Sequence, residues 1–147
     1  MSKPISPLLA ADIIIELADR PGRPIVLVER RYPPLGWAIP GGFVDVGERV
    51  EAAAIREAQE ETALAVQLVT LLGIYSDPSR DARGHTASAV YLATARGVPH
   101  AQDDARAVQI CEAGQWPAPL VFDHATILAD YLIFRQSGRL PALRNSF

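Results

Sequence analysis

A single cysteine, Cys111, stands among the 147 residues. Neither an intrachain disulfide nor a thiolate metal cluster can therefore form, and any bound metal has to be held by oxygen or histidine. No stretch approaches the roughly 20 apolar residues that cross a bilayer. The start, Met1 to Leu9, has one lysine and two prolines and lacks an apolar run followed by a small-residue cleavage site, so a cytoplasmic protein is the expectation. An excess of basic charge is missing too: fourteen Lys and Arg stand against seventeen Asp and Glu, a formal net charge of -3. No run of basic residues points to a surface for duplex nucleic acid. Neither a membrane nor nucleic acid is an expected partner.

What is present fits one folded unit. Hydrophobic residues make up 49% and charged residues 21%, an ordinary balance for a globular protein, and the length suits a single domain, 1–147. Ile13 to Leu17 and Ile25 to Glu29 are rich in β-branched residues and flank a turn-forming cluster from Asp19 to Pro24, which predicts two strands in a hairpin. Val66 to Tyr75 and Thr86 to Ala95 are strand-like, joined by a long polar stretch from Ser76 to His85. His124 to Gln136 carries apolar residues near helical spacing and ends before Gly138, as a closing helix packed on a sheet would. From Glu48 to Thr62 there is neither Gly nor Pro, and Ala, Glu and Arg dominate; this is the surest helix of the chain.

Within that helix Glu57, Glu60 and Glu61 are spaced three and four apart, so their carboxylates lie along one side and repel. Glu-rich helix faces are usually just solvated. Here a divalent cation would offset the repulsion, since hard ions such as magnesium take carboxylate and water oxygens and bind substrate phosphates in the remaining positions. Gly42, Glu48, Arg56, Glu57, Glu60, Glu61 and Leu64 together reproduce the spacing of the Nudix box, and over residues 42–64 the chain resembles the Nudix hydrolases. The departure is Ala63, where that family usually has glycine; a local adjustment of the turn is expected there, because alanine tolerates a left-handed backbone less well.

The resemblance implies an α/β Nudix fold, with a mixed β-sheet between helices. It also implies a hydrolase that cuts the diphosphate of a nucleoside diphosphate derivative with one to three magnesium or manganese ions. By position, Glu57, Glu60, Glu61 and the Gly41 carbonyl would be metal ligands, and Glu48 and Arg56 would brace them. Outside the box, three stretches resemble the small ADP-ribose pyrophosphatases of bacteria and archaea: Glu29 to Arg31 with Gly36 to Asp45, the loop Asp77 to Thr86, and Phe122 to His124. From them Arg31, Asp77, Arg80, Asp81 and Arg83 are candidate contacts to a small-molecule nucleotide, because arginine forks suit diphosphate oxygens and aspartates accept from ribose. His85 and His124 are read as structural, and Trp37 as packing. The same resemblance suggests a homodimer. A further departure is Ala107, where related sequences carry a glutamate that serves as late metal ligand or base. Asp103, Asp104, Glu112 or the box glutamates alone could fill that role. A rival reading is a module that binds ADP-ribose without cutting it; another is a hydrolase of other nucleoside diphosphate derivatives or of a nucleoside triphosphate.

Overall fold

The structure, a computed structural model, describes residues 2–147. Strand β1 (Leu8–Leu17) is its axis. One edge of β1 pairs in parallel with β6 (Thr86–Ala95) over ten residues, from Leu8 opposite Thr86 to Leu17 opposite Ala95. Its other edge is shared: β4 (Gly41–Phe43) runs antiparallel to Ala10, Ala11 and Asp12, while β2 (Ile25–Arg30) meets it at Glu16. The expected hairpin thus closes at its turn, after which β2 leaves β1 to pair with β3 (Trp37–Ala38) and β7 (Ala105–Cys111). β5 (Gln67–Tyr75) completes the sheet on β6. One parallel pairing among antiparallel ones makes the sheet mixed, as expected.

Residues along β1 alternate between two cores, as the pleat requires. Ile13, Ile15 and Leu17 pack with Ala53, Ala54 and Ala58 of α1 (Val50–Thr62). Ile14 packs on the other face with Ile127, Leu128 and Tyr131 of α2 (His124–Ser137). β6 repeats the division, Tyr91 and Ala93 to one side and Val90 and Leu92 to the other. All four of Ile13, Ile14, Ile15 and Leu17 are essentially fully buried, each contributing about 1.5–3 kcal/mol of apolar transfer. The sheet therefore lies between two helices, and no helix is long and apolar enough to cross a membrane among the described residues.

Helix α1 begins at Val50 rather than Glu48, because Glu48 closes a turn, its amide donating to the Asp45 carbonyl at 3.0 Å. Alanine at three buried positions lets the helix lie close on the sheet. At its end the expected adjustment does not occur. Ala63 keeps the left-handed conformation, φ 62° and ψ 16°, and its amide donates to the Gln59 carbonyl at 3.0 Å. Buried Leu64 and Thr62, whose hydroxyl donates to Ala58 O at 2.6 Å, hold the turn in place. Alanine in this region costs roughly 1–2 kcal/mol, and glycine costs about 0.4–1 kcal/mol through the freedom of its unfolded chain. Ala63→Gly is therefore expected to raise stability by about 0.5–1 kcal/mol, read as a higher urea midpoint at unchanged slope; a lower midpoint would refute it.

Candidate active site

β4 brings two glycines against chemistry-bearing side chains, and at both an added Cβ would collide unless a neighbour moved. A Cβ on Gly41 would stand 2.4 Å from the Ala11 carbonyl oxygen and 2.1 Å from Asp12 Oδ1; one on Gly42 would stand 2.4 Å from Glu57 Oε1. The glycine pair thus allows the strand to touch both β1 and the acidic face of α1.

Arg56 ties that face together. Its Nε and Nη2 donate to the two oxygens of Glu48 at 2.8 and 2.9 Å, its Nη1 to Glu57 at 2.9 Å and Glu60 at 3.2 Å, and Nη2 also to the Phe43 carbonyl at 3.1 Å. The side chain is thereby more than a surface partner of Glu60: it fastens the loop after β4 to the helix. The forked bond from Arg56, helped by the Asp45 amide, holds the Glu48 carboxyl down to about 2. Arg56 itself is raised, chiefly by Glu48.

Glu57 and Glu61 behave differently because they face inward. Glu61 is buried, and its Oε2 accepts the Gly41 amide at 3.0 Å. Burial pushes its pKa up to about 8 against that hydrogen bond, with Glu57, Asp12 and Asp104 adding repulsion. Glu57 is also raised, first by burial, although Arg56 opposes this. Glu60 turns outward to Arg56, its side chain 41% exposed.

Glu57, Glu61, Gly41 and Gly42 share one cleft of about 360 Å³ with Asp12, Arg30, Phe43, Arg80, Asp81, Arg83, Asp104, Phe122 and His124. Its floor is a buried polar network. His124 Nδ1 accepts the Ile39 amide at 3.0 Å, so that nitrogen carries no proton, and burial lowers the pKa and keeps the ring neutral. Its Nε2 lies 3.9 Å from Asp12 Oδ2, which accepts the Ser88 hydroxyl. His124 thus anchors the Ile39–Gly41 segment to the start of α2.

Residues 7–131 match the NUDIX domain family. The chain belongs to the Nudix family. It is 41% identical over 131 residues to an ADP-ribose pyrophosphatase of Methanocaldococcus jannaschii, covering 87% of this chain and 75% of that protein. Among solved structures it is similar to the NUDIX domain of Shewanella oneidensis NrtR complexed with ADP ribose, with TM-score 0.69 and 28% identity over 85% of this chain and 86% of that one. It is also similar to a bifunctional NMN adenylyltransferase/ADP ribose pyrophosphatase of Francisella tularensis complexed with AMP and a manganese ion, with TM-score 0.72 and 25% identity. That match covers 89% of this chain but only 42% of the Francisella chain.

As a Nudix pyrophosphohydrolase similar to ADP-ribose pyrophosphatases, the chain draws most of the residues singled out from sequence into one place. Glu57, Glu61, Gly41 and Arg56 line the cleft, Glu48 and Glu60 adjoin it through Arg56, and Arg80, Asp81 and Arg83 reach it from the loop after β5. Arg80 is committed within the protein: buried, it donates through Nε and Nη2 to both Asp123 oxygens at 3.0 and 2.7 Å. Asp77 lies outside the lining and caps its own turn, accepting from the Ser79 amide and hydroxyl. Arg31 is exposed and also lies outside the lining; its neighbour Arg30 takes that place, beyond a shift in the β2–β7 register at Glu29 and Arg30. Trp37 packs on the α2 core, as expected, and His85 closes its loop on the Ser76 carbonyl at 2.9 Å.

Of the alternatives to the missing glutamate, Asp104 is in the cleft and Asp103 is near enough to Glu57 to perturb it, whereas Glu112 lies beside Gly22 at the far end of β2. Ala107 itself sits on β7 opposite Glu29. Sequence reading passed over Asp12, Arg30 and Phe122 as site residues. A lone aspartate in the run Leu8 to Leu17 was the available signal for Asp12, since an acid there is expensive unless partnered.

Proposed function

We propose that this cleft hydrolyses the diphosphate of ADP-ribose to AMP and ribose 5-phosphate with magnesium or manganese, one to three ions. The observation that carries the reading is the placing of Glu57 and Glu61 on successive turns of α1, both facing one cleft beside the Gly41–Gly42 backbone. Among the described residues no three carboxylate, histidine or cysteine groups are drawn into a ready-made cage. The donors nonetheless suit a hard cation that keeps positions for water and phosphate: they are oxygens, and Glu61 is destabilised as an anion first by burial and then by Glu57, Asp12 and Asp104. Glu57, Glu61 and the Gly41 carbonyl would hold it, with Glu60 nearby. A bound divalent ion supplies charge withdrawal from the diphosphate and a more acidic water.

The chain's own residues do the rest. Arg56 keeps Glu57 in place, and the Gly41 amide keeps Glu61 in place. A water oxygen joins one phosphorus as the bridging P–O bond breaks, its proton passing to solvent or a cleft carboxylate. The relatives named with ADP-ribose support this substrate over a triphosphate. The absence of a late glutamate at Ala107, and the likeness to a domain complexed with ADP ribose, favour a second reading in which the ligand is bound and not cut.

The deciding experiment incubates the protein with ADP-ribose, other nucleoside diphosphate derivatives and nucleoside triphosphates, with magnesium or manganese, and follows AMP and ribose 5-phosphate by chromatography. ADP-ribose is expected to be cleaved fastest. Binding without products supports the second reading; faster cleavage of a triphosphate overturns the substrate assignment. Sedimentation on the same sample tests the proposed homodimer.

Glu61 also makes a pH signature expected. A carboxyl whose folded pKa is raised from 4.5 to about 8 favours folding when protonated, so the metal-free protein loses stability as pH rises through that window. A cation must displace that proton below about pH 8, so apparent affinity should rise by up to tenfold per pH unit and then level off. Calorimetry in buffers of different ionisation enthalpy should show close to one proton released per ion at pH 7. No proton release would refute it.

A further inference from the structure

Three side chains in the cleft form a unit that the proposed chemistry has not used. The guanidinium carbon of Arg30 lies 5.1 Å from the centre of the Phe122 ring, and that of Arg83 lies 5.3 Å from the same centre. Each arginine is also pinned on one edge. Arg30 donates from Nε to the Pro34 carbonyl at 2.8 Å and from Nη2 to Pro33 at 3.5 Å; Arg83 donates from Nε and Nη2 to Asp81 at 3.1 and 2.9 Å. Among the described residues, the Nη1 group of each has no protein acceptor, and no carboxylate forms an ion pair with Arg30.

Two like charges on one ring repel: burial and then Arg83 lower the pKa of Arg30. A ring face attracts each cation, which offsets part of that repulsion, and an anion bound by both would offset more of it. Phe122 holds φ at +55°, a strained conformation for a bulky residue that surrounding structure must enforce. The turn around it is closed by the His124 amide, which donates to the Val121 carbonyl at 3.1 Å, and both of those residues are buried.

We propose that Phe122 is a positioning residue that sets the spacing of Arg30 and Arg83 as a paired clamp for the diphosphate of the substrate. The assignment of a diphosphate rests on the functional reading above. The free Nη1 groups present donors of fixed direction, and arginine matches phosphate oxygens in a way that lysine cannot. The ring acts through the arginines and touches no reacting atom, so its loss should weaken ground and transition states alike.

The test compares Phe122→Leu, Phe122→Tyr, Arg30→Gln, Arg83→Gln and the Arg30→Gln/Arg83→Gln pair with wild type, by kcat and KM for ADP-ribose. Affinity for inorganic pyrophosphate is measured by calorimetry with chelator present. Phe122→Leu is expected to raise KM and pyrophosphate Kd about fivefold to tenfold with kcat within about twofold, and Phe122→Tyr, which keeps the ring, to stay near wild type. An unchanged KM and Kd, a fall in kcat alone, or equal damage from Tyr and Leu would overturn the clamp. If Phe122→Leu does not fold, the arginine pair decides: an effect smaller than the product of the single effects supports a joint clamp, and a simple product overturns it. Wild type that binds pyrophosphate but leaves ADP-ribose uncut means that the functional reading fails while the clamp stands. Wild type that binds no pyrophosphate overturns the clamp.

Discussion

Glu57→Gln and Glu61→Gln are each expected to lower kcat for ADP-ribose by at least about a hundredfold, about 2.7 kcal/mol of transition-state stabilisation, with the fold intact. The substitution keeps size and an acceptor oxygen, so the Gly41 amide can still donate at residue 61 and Arg56 can still donate at residue 57. What is lost is one negative charge at the wall of the cleft. For Glu61 the change should stabilise the metal-free protein near pH 8, because the buried group no longer has to ionise. Activity and stability then move in opposite directions, which a merely structural glutamate would not show. Wild-type turnover in either variant, or full wild-type turnover in excess chelator, would refute the metal-site reading.

Gly41→Ala and Gly42→Ala should separate fold from function. At Gly41 the added carbon meets main chain, 2.4 Å from Ala11 O and 2.8 Å from the Asp12 Cα, so β4 and β1 must part. A loss of about 2–3 kcal/mol or more is expected. At Gly42 the nearest atoms to the added carbon are all of the Glu57 carboxylate, at 2.4–2.6 Å, and a side chain can swing away. Stability should stay within about 1 kcal/mol while kcat falls about a hundredfold, because the residue that moves is a proposed ion ligand. Thermal unfolding beside single-turnover kinetics would show the split; an active Gly42→Ala would mean that Glu57 does not need its observed place.

Elements with a clear period were legible before any coordinates. The strand Thr86 to Ala95 has the same limits in the structure, and the closing helix from His124 runs one residue further than expected, to Ser137. The first strand starts five residues earlier than its β-branched run, at Leu8, because pairing with β6 recruits the plainer residues before Ile13. β7 was not foreseen: Ala105, Arg106 and Ala107 have little intrinsic strand preference, and their extended form comes from the partner strand β2. The acidic wall was legible because helical spacing places it by itself. On the other wall, the alternation along β2 places Val28 and Arg30 on the cleft side, two residues apart, whereas Arg31 lies past the end of the strand. Asp123 as the partner of Arg80, 43 positions away, was invisible to any local pattern.

That distant ion pair has a consequence for handling the protein. The stretch between β5 and β6 is long and polar, yet Arg80 is buried on Asp123, Asp81 is buried on Arg83, and His85 returns to Ser76. A protease needs a stretch of chain that opens locally, and here Arg80 is buried on its ion pair and Arg83 is held by Asp81 within the same loop. Limited digestion of the native protein should therefore begin after the exposed Arg139 or Arg144, beyond α2, and leave the loop uncut until the whole molecule opens.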